Sequence, residues 1–386
     1  MPIGGYFLKK IVSNLHQLPR LKIGIYFILV LSFVISIVFV ENNYLFYEKP
    51  IAKVIEVNLI DKTDTVDRNN NKDTLFTQQI IAELKNGENK GELIYLNNEF
   101  SSSRGYDHEI KIGNELFVFM NENTNHTKQL TGTIIDIKRD KFVVMITWVF
   151  IFTLLIVGTK QGLFSILSLA INAILLSYAL DLYIHKSNIS LLLICSISAI
   201  LFTCISLLLV SGFNEKTYAA IVATLLGTFI SLIIAYLVIW FSNERGLRYE
   251  EMQFITRPYR AVFITGLLLG SLGAVMDVAI TMSSSIFGLY EKNNNITVKA
   301  LIASGLDIGK DIMGTMTNIL FFVYISGSIP MLVLYLKNAS PLGFTLSMNL
   351  SLELARALAG GIGIVLTIPI GLYTSILFVK RKRAKS

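Results

Sequence analysis

The 386-residue chain has little charge. Asp, Glu, Lys and Arg make up 16% of it, against about 25% in an ordinary soluble protein. Hydrophobic residues make up 53%, and mean hydropathy is +0.59. With the long apolar runs, this sets aside a soluble globular domain and points to a polytopic membrane protein. Cysteine is also scarce. Cys195 and Cys204 lie in one apolar run, on opposite faces of a helix, which argues against a disulfide or a thiolate metal site. Histidine is limited to His16, His108, His126 and His185, none within an expected span. No Walker A, Rossmann, zinc-binding or G-x-S-x-G pattern occurs. These absences argue against an ATP-driven pump and a histidine-based intramembrane enzyme, and no cofactor or metal is expected.

The net charge of +7 is concentrated at the termini, in Lys9, Lys10, Arg20 and Lys22 and in Lys380, Arg381, Lys382, Arg383 and Lys385. Such clusters mark the cytoplasmic side of a membrane, so the excess needs no nucleic-acid partner. The apolar runs predict a polytopic α-helical membrane protein with about eight transmembrane helices. They cover 23–40, 143–159, 162–184, 189–211, 218–241, 261–286, 312–336 and 352–379. Only Lys160 and Gln161 separate the second from the third, as in a tight hairpin or a re-entrant segment. The first run lacks a small-residue cleavage pattern and reads as a retained anchor. An even number of spans puts both termini in the cytoplasm of a bacterial plasma-membrane protein. Arg245, Arg248, Arg257 and Arg260 then fall on the outer side, with Glu244, Glu250 and Glu251 as candidate partners.

Residues 1–40 are expected to form the cytoplasmic start and first helix, 41–142 an extracytoplasmic domain, 143–379 the remaining bundle and 380–386 a basic tail. Residues 52–60, 79–84, 91–97, 109–112, 115–120 and 130–137 alternate or favour β-formers. Turns are expected at Asn86-Gly87, at Gly113-Asn114 and around 101–105. Short strands at this spacing predict a small β-barrel of the OB or SH3 kind. Residues 68–73 are expected to be a flexible loop, and Asn125-His126-Thr127 fits a glycosylation sequon.

The candidate chemistry lies in the last three spans. Asp277 is a carboxylate in an apolar run long enough to cross a bilayer, which costs at least about 2.5–3.5 kcal/mol on insertion scales. Gly266, Gly270, Gly273, Asp277, Thr281 and Ser284 share one side of a helix. That pattern reads as a tightly packed seam holding a carboxylate. Its bland counterpart is a buried aspartate satisfied by hydroxyls of a neighbouring helix. In the seventh span Asp307, Asp311, Thr315 and Asn318 share a face, with Lys310 beside them able to neutralise either carboxylate. Interface anchoring is the simpler account of Asp307 and Lys310. Residues 297–306 read as an amphipathic lead-in along the membrane surface. In the eighth span Glu353 and Arg356 can pair on one helix, ahead of Gly360, Gly361, Gly363 and Pro369. Asp277 is roughly 13 Å from the inner end of its span. Asp311 near the inner face and Glu353–Arg356 near the outer face could make a relay with it if all three face one another. Ala220, Thr224, Gly227, Ser231 and Ala235 form a small-residue stripe suited to helix contact. Asn172 is a further intramembrane polar residue.

At these positions the chain resembles the YibE/F-like family of bacterial membrane proteins. The resemblance is carried by Gly270-Ser271-Leu272-Gly273-Ala274-Val275-Met276-Asp277, by Gly309-Lys310-Asp311-Ile312-Met313-Gly314-Thr315-Met316-Thr317-Asn318, and by Glu353 and Arg356 followed by Gly360-Gly361-Ile362-Gly363. The usual family form has arginine where this chain has Lys310, so charge is kept but not the fork geometry. A remoter likeness is to half-transporters of the resistance-nodulation-division kind, including SecD and SecF. Asp277 resembles their intramembrane aspartate, 297–306 their surface helix, and Gly314-Thr315-Met316-Thr317 the hydroxyl-rich start of the next helix. That likeness implies pairing as a homodimer, or with a shorter YibE/F-like paralogue, within the lipid bilayer.

The reading is an ion-coupled secondary transporter or export-assisting membrane protein, using proton or sodium. Asp277 is the coupling site, with Asp311, Asn318, Thr315, Lys310, Thr281, Ser284, Glu353 and Arg356 as candidate supporting residues. The alternative is a non-transporting assembly or signalling subunit acting through its β domain. An enzyme is not expected.

Overall fold

The computed structural model describes residues 20–105, 107–121, 129–186, 189–252 and 258–385. The sequon and Arg257 lie outside the described residues. The chain divides into two compact units, Met1–Thr153 and Leu154–Ser386. The first holds α1 (Arg20–Asn42), a 3-10 turn (Asn43–Phe46), five strands and the start of α2 (Asp140–His185). The strands are β1 (Ile51–Val66), β2 (Lys72–Leu84), β3 (Leu93–Ser101), β4 (Glu115–Met120) and β5 (Leu130–Ile137). The second unit holds the rest of α2, then α3 (Leu191–Ser211), α4 (Glu215–Phe241), α5 (Tyr259–Lys292) and α6 (Val298–Ser326). Two short helices follow, α7 (Ile329–Lys337) and α8 (Leu342–Asn349), and then α9 (Ser351–Lys385).

In the sheet domain the alternating residues turn Val54, Ile80, Ala82, Ile94, Leu96, Leu116 and Val118 into one apolar core. The strand order is β1-β2-β3-β5-β4. All neighbours are antiparallel except β3 and β5, which run parallel through Ile94–Leu96 and Leu130–Gly132. A short return pairing joins β4 to β1 at Ile51–Lys53. Of the six expected β stretches, 109–112 is not a strand. The Gln78 side-chain amide takes the place of a neighbouring strand there: it donates to the Ile110 carbonyl at 3.0 Å and accepts from the Ile110 N–H at 3.1 Å. The expected loop at 68–73 is instead a tight hairpin. The Asp67 carboxylate accepts from the N–H groups of Asn69 and Asn71, both at 2.8 Å, and β2 already begins at Lys72.

A buried polar cluster ties this sheet to its flanking helices. Asn86, at the expected turn, accepts from the Ile51 N–H and donates to the carbonyls of Tyr44, Tyr47 and Lys49. Beside it, the Lys138 side chain is 2% exposed. Its Nζ donates to the Val40 carbonyl and to Glu115 Oε2, each at 2.9 Å, and lies 3.2 Å from Asp140 Oδ1. Tyr44 donates to Glu115, while Tyr47 and Asn43 donate to Asp140. Burial pulls the Lys138 pKa down, but the hydrogen bonds and charges of Glu115 and Asp140 outweigh it and hold the ammonium above the usual lysine value. Within the same unit α1 meets the start of α2 through Trp148, which donates to Ser36 at 2.7 Å and packs on Phe33.

Among the described residues, six helices are long and apolar enough to cross a membrane, or seven if α6 and α7, bent by 61° at their break, count as one. The difference from the expected eight arises in α2. A 46-residue helix would be about 69 Å long, more than twice a hydrocarbon core of about 30 Å. It breaks at Thr159, whose φ of 46° and ψ of −116° are not helical. The expected boundary at Lys160-Gln161 therefore falls beside this break. Residues 297–306 are not a separate surface helix. The Thr297 side chain caps the start of α6 by accepting from the Ala300 N–H, and the helix continues unbroken to Ser326.

Helix α9 packs on α4, α5 and α6 at its glycines. The stripe on α4 is buried throughout and lies against α9: Ser231 donates to the Ala359 carbonyl at 2.9 Å. A Cβ added at Gly227 would sit 2.0 Å from Thr367 Oγ1, which is itself fixed by donation to the Gly363 carbonyl.

Two outcomes follow for the full-length protein in detergent. Lys138→Met leaves Glu115 and Asp140 without their cation, and breaking a buried pair costs about 3–5 kcal/mol; chemical denaturation should read this loss. Because the folded-state pKa of Lys138 is raised, its contribution is complete below the unfolded lysine value near ~10.4 and declines as pH rises through the folded value. That alkaline decline should vanish in Lys138→Met. Gly227→Val should lower stability by about 1–3 kcal/mol through overpacking. Gly288→Ala, where an added Cβ meets nothing within 4 Å, should be neutral or stabilising, as thermal melts will show.

Candidate functional site

Helix α5 turns Phe263, Leu267, Ser271, Val275, Val278, Met282 and Ile286 into the protein. Its opposite side bears the glycine–aspartate face. Arg356 Nε lies 3.9 Å from where a Gly266 Cβ would sit, and Tyr324 Oη fills the space over Gly270, 2.0 Å from an added Cβ. Beyond these two, the face is open. Gly273 has nothing within 4 Å of a Cβ position. Gly270, Gly273 and Asp277 are exposed, while Thr281 and Ser284 are half-buried. The packed seam expected from the spacing is therefore present only around Gly266 and Gly270. The periodicity correctly groups the residues on one side, but the bulky apolar side chains of the other side are what pack against α9 and α4.

Asp277 makes no hydrogen bond or ion pair with any described residue, so the neighbouring hydroxyls of the bland account are not there. Helix α6 runs antiparallel to α5: Gly305 meets Ile286 at one end and Tyr324 meets Gly270 at the other. Between these contacts Asp277 is level with Thr315, and Asn318 and Asp311 lie about one turn to either side, Asp311 near the level of Thr281. Asp307, Lys310, Asp311, Gly314, Thr315 and Asn318 are all exposed. Lys310 pairs with Asp307 at 3.1 Å rather than with Asp311 or Asp277. The Thr315 hydroxyl donates back to the Ile312 carbonyl at 2.9 Å. Asn318 has no hydrogen bond. The buried side of α6 is Leu301, Gly305, Gly309 and Leu320.

Glu353 and Arg356 form an ion pair on α9, with side chains 26% and 21% exposed. The guanidinium lies over the Phe263 ring at 5.3 Å and donates to Met252 Sδ at 3.8 Å. This matches a fixed pair at the helix start. The structure does not join it to Asp277 or Asp311, so the three positions do not form a continuous hydrogen-bonded relay. Two further hydroxyls sit among them: Tyr324, which sequence reasoning missed, and Thr317, which it named only within a motif. The buried hydroxyls of Tyr324 and Thr317 have no hydrogen-bond partner. The signal was available: each is a hydroxyl in the apolar stretch that follows Asp311.

Elsewhere, Arg260 pairs with Glu244 at 3.0 Å, one of the expected local partners, while Arg248 donates to the distant Met348 carbonyl at 3.4 Å. Asn172 donates to Ser206 at 2.7 Å, tying α2 to α3. Cys195 and Cys204 are free thiols. No group of three metal-ligating side chains occurs among the described residues.

The sheet domain offers a second concavity. A groove of about 820 Å³ runs across β1, β2 and β3, with Val57, Leu59, Phe76 and Phe100 as its floor and Arg104 and Lys111 at its rim. Phe76 and Phe100 stack at 4.9 Å.

No curated protein and no solved structure matches the chain, so the likeness to SecD and SecF has no support from comparison. Two family models do match. The one described as YibE/F family N-terminal domain covers residues 45–137, which contain all five strands. The one described as YibE/F-like protein covers residues 146–381, which contain Asp277, the polar face of α6 and the Glu353–Arg356 pair. The long apolar helices and the family match over residues 146–381 make the chain a membrane protein that belongs to the YibE/F-like family.

Proposed function

We propose that the protein is an ion-coupled secondary transporter or export-assisting membrane protein of the bacterial plasma membrane, with both termini in the cytoplasm and Asp277 as its proton or sodium site. One observation carries this reading: Asp277 is exposed and unpaired in the middle of a membrane-length helix. A structural aspartate at such a position is expected to be spent on a fixed partner. A carboxylate left unpaired, with Thr315 at its level and Asn318 about one turn away, is available to take up and release a cation. Asp311 lies about one turn along as the next acceptor. The Glu353–Arg356 pair, locked on Phe263, acts as an anchor and not as a moving charge. For the sheet domain the reading is a small OB-like barrel on the extracytoplasmic side, supported by the parallel β3–β5 pairing and the return of β4 to β1.

A second reading has its own support. The groove with the Phe76–Phe100 stack suits a protein that binds a partner through its sheet domain and does not transport. The discriminating result is where activity resides. If removing residues 41–142 abolishes function while Asp277→Asn does not, the second reading replaces the first.

The ion site can be tested without knowing the substrate. In proteoliposomes, a hydrophobic carbodiimide should label Asp277, and raised pH or sodium ions should slow the labelling, according to which ion binds. Asp277→Asn should remove the label and abolish proton or sodium flux while leaving membrane insertion intact. Full flux in that variant would end the coupling reading.

A further inference from the structure

We infer that the end of α9, folded onto the α5–α6 turn, is a binding surface for the phosphate headgroup of an anionic phospholipid. The surface is independent of what Asp277 binds. It requires only that α5, α6 and α9 cross a membrane, for which they are long and apolar enough, α6 together with α7.

The basic tail continues α9 as helix to Lys385, which carries its cations against the neighbouring helices. Arg383 donates to the Ile296 carbonyl, between α5 and α6, and its guanidinium lies 5.0 Å from the centre of the Tyr290 ring. Lys382 Nζ lies 5.9 Å from the same ring. Tyr290 is itself buried, near the end of α5. The end of α9 is therefore latched to α5 and to the start of α6. Basic residues that merely mark one side of a membrane need only be exposed; these are folded into one fixed surface.

The charge at this end is one-sided. Lys292, Lys299, Lys380, Arg381, Lys382 and Arg383 meet there, and Glu291 is the carboxylate beside them. Glu291 lies 3.8 Å from Lys382 with both side chains exposed, and a pair of that kind is worth little. Lys292, Lys299, Lys380 and Arg381 are exposed and form no ion pair among the described residues. The start of α4 is held at the same end, its Lys216 carbonyl accepting from Ser283, but there Glu215 and Lys216 offset each other. The first acid of α6, Asp307, is already paired with Lys310. The remaining cations repel one another. The C-termini of α5 and α9 offset only about half a charge each. An anion held among them relieves the rest. At the end of membrane-length helices the anion at hand is a lipid phosphate, which accepts from several ammonium and guanidinium groups at once. A zwitterionic headgroup brings its own cation and gains less.

The test uses the full-length chain, purified in neutral detergent and titrated with phosphatidylglycerol or phosphatidylcholine. Native mass spectrometry should find phosphatidylglycerol retained at least about tenfold better, and thermal melts should rise with that lipid alone. Inorganic phosphate at equal concentration should leave the melt unchanged; a shift matching the lipid's would assign the surface to free phosphate and overturn the lipid reading. Lys380→Gln with Arg381→Gln should cut retention of phosphatidylglycerol by roughly ten- to thirtyfold. Lys382 and Arg383 stay in place in that variant, so its melt in phosphatidylcholine should match that of the unmodified chain. Lys186→Gln with Lys337→Gln, which removes the same charge from the exposed ends of other helices, should leave retention unchanged. Equal retention of both lipids by the unmodified chain, or an equal loss in the two double variants, overturns the inference.

Discussion

The close approach of α9 to its neighbours is the contact on which the second unit depends. Gly227 on α4 admits Thr367, Gly363 on α9 admits Val275 and Ser231, and Gly360 admits Leu320 and Ser271. With lipid outside, apolar burial gives little drive for helix association, and shape must supply it. Once α4 and α9 lie this close, α5 has one place to put Phe263, Val275, Met282 and Ile286. Its other side is then left outward. The exposure of Asp277 thus follows from packing on the opposite side of α5, where Val275, two residues before it, sits against Gly227 and Gly363.

The sheet domain is held by the opposite kind of force. Its core is small, and what fixes it to α1 and to the start of α2 is charge: Lys138 between Glu115 and Asp140, with Tyr44, Tyr47 and Asn43 using the remaining carboxylate oxygens. Such a cluster is costly to bury and more costly to break. It gives the junction a definite geometry where apolar contact alone would allow sliding. Asn86 does the same with neutral groups, tying three carbonyls of the α1–β1 connection to one side chain.

Much of this was legible in the sequence, and the exceptions have physical reasons. The ends of β4 and β5 fall where alternation puts them. Residues 109–112 alternate as well, yet Gln78 satisfies their backbone, and no local pattern reveals a side chain standing in for a strand. The small-residue stripe on α4 is a contact, as its spacing implies. The stripe on α5 has similar spacing but opens outward beyond Gly270. Periodicity says which residues share a face; it does not say which face a neighbour covers, and small residues in a membrane helix suit both. The Lys138 cluster was missed because its members come from three separate stretches of the chain and meet only in three dimensions.

The open face also constrains how an ion site there can work. An occupied carboxylate and an empty one differ by a full charge, and in hydrocarbon that difference is worth at least several kcal/mol. Uptake and release need surroundings that change, so that the charged form meets donors at one moment and the neutral form meets apolar groups at another. Helix α5 cannot supply that change by itself, because its buried side is locked against α4 and α9. Helix α6 has fewer buried residues and ends at a 61° bend before α7, but Gly305, Gly309 and Leu320 seat it against Leu372, Ile368 and Gly360 of α9. If Asp277 is an ion site as proposed, the change of surroundings it needs falls to groups on its exposed side, because the buried sides of α5 and α6 are both packed against α9.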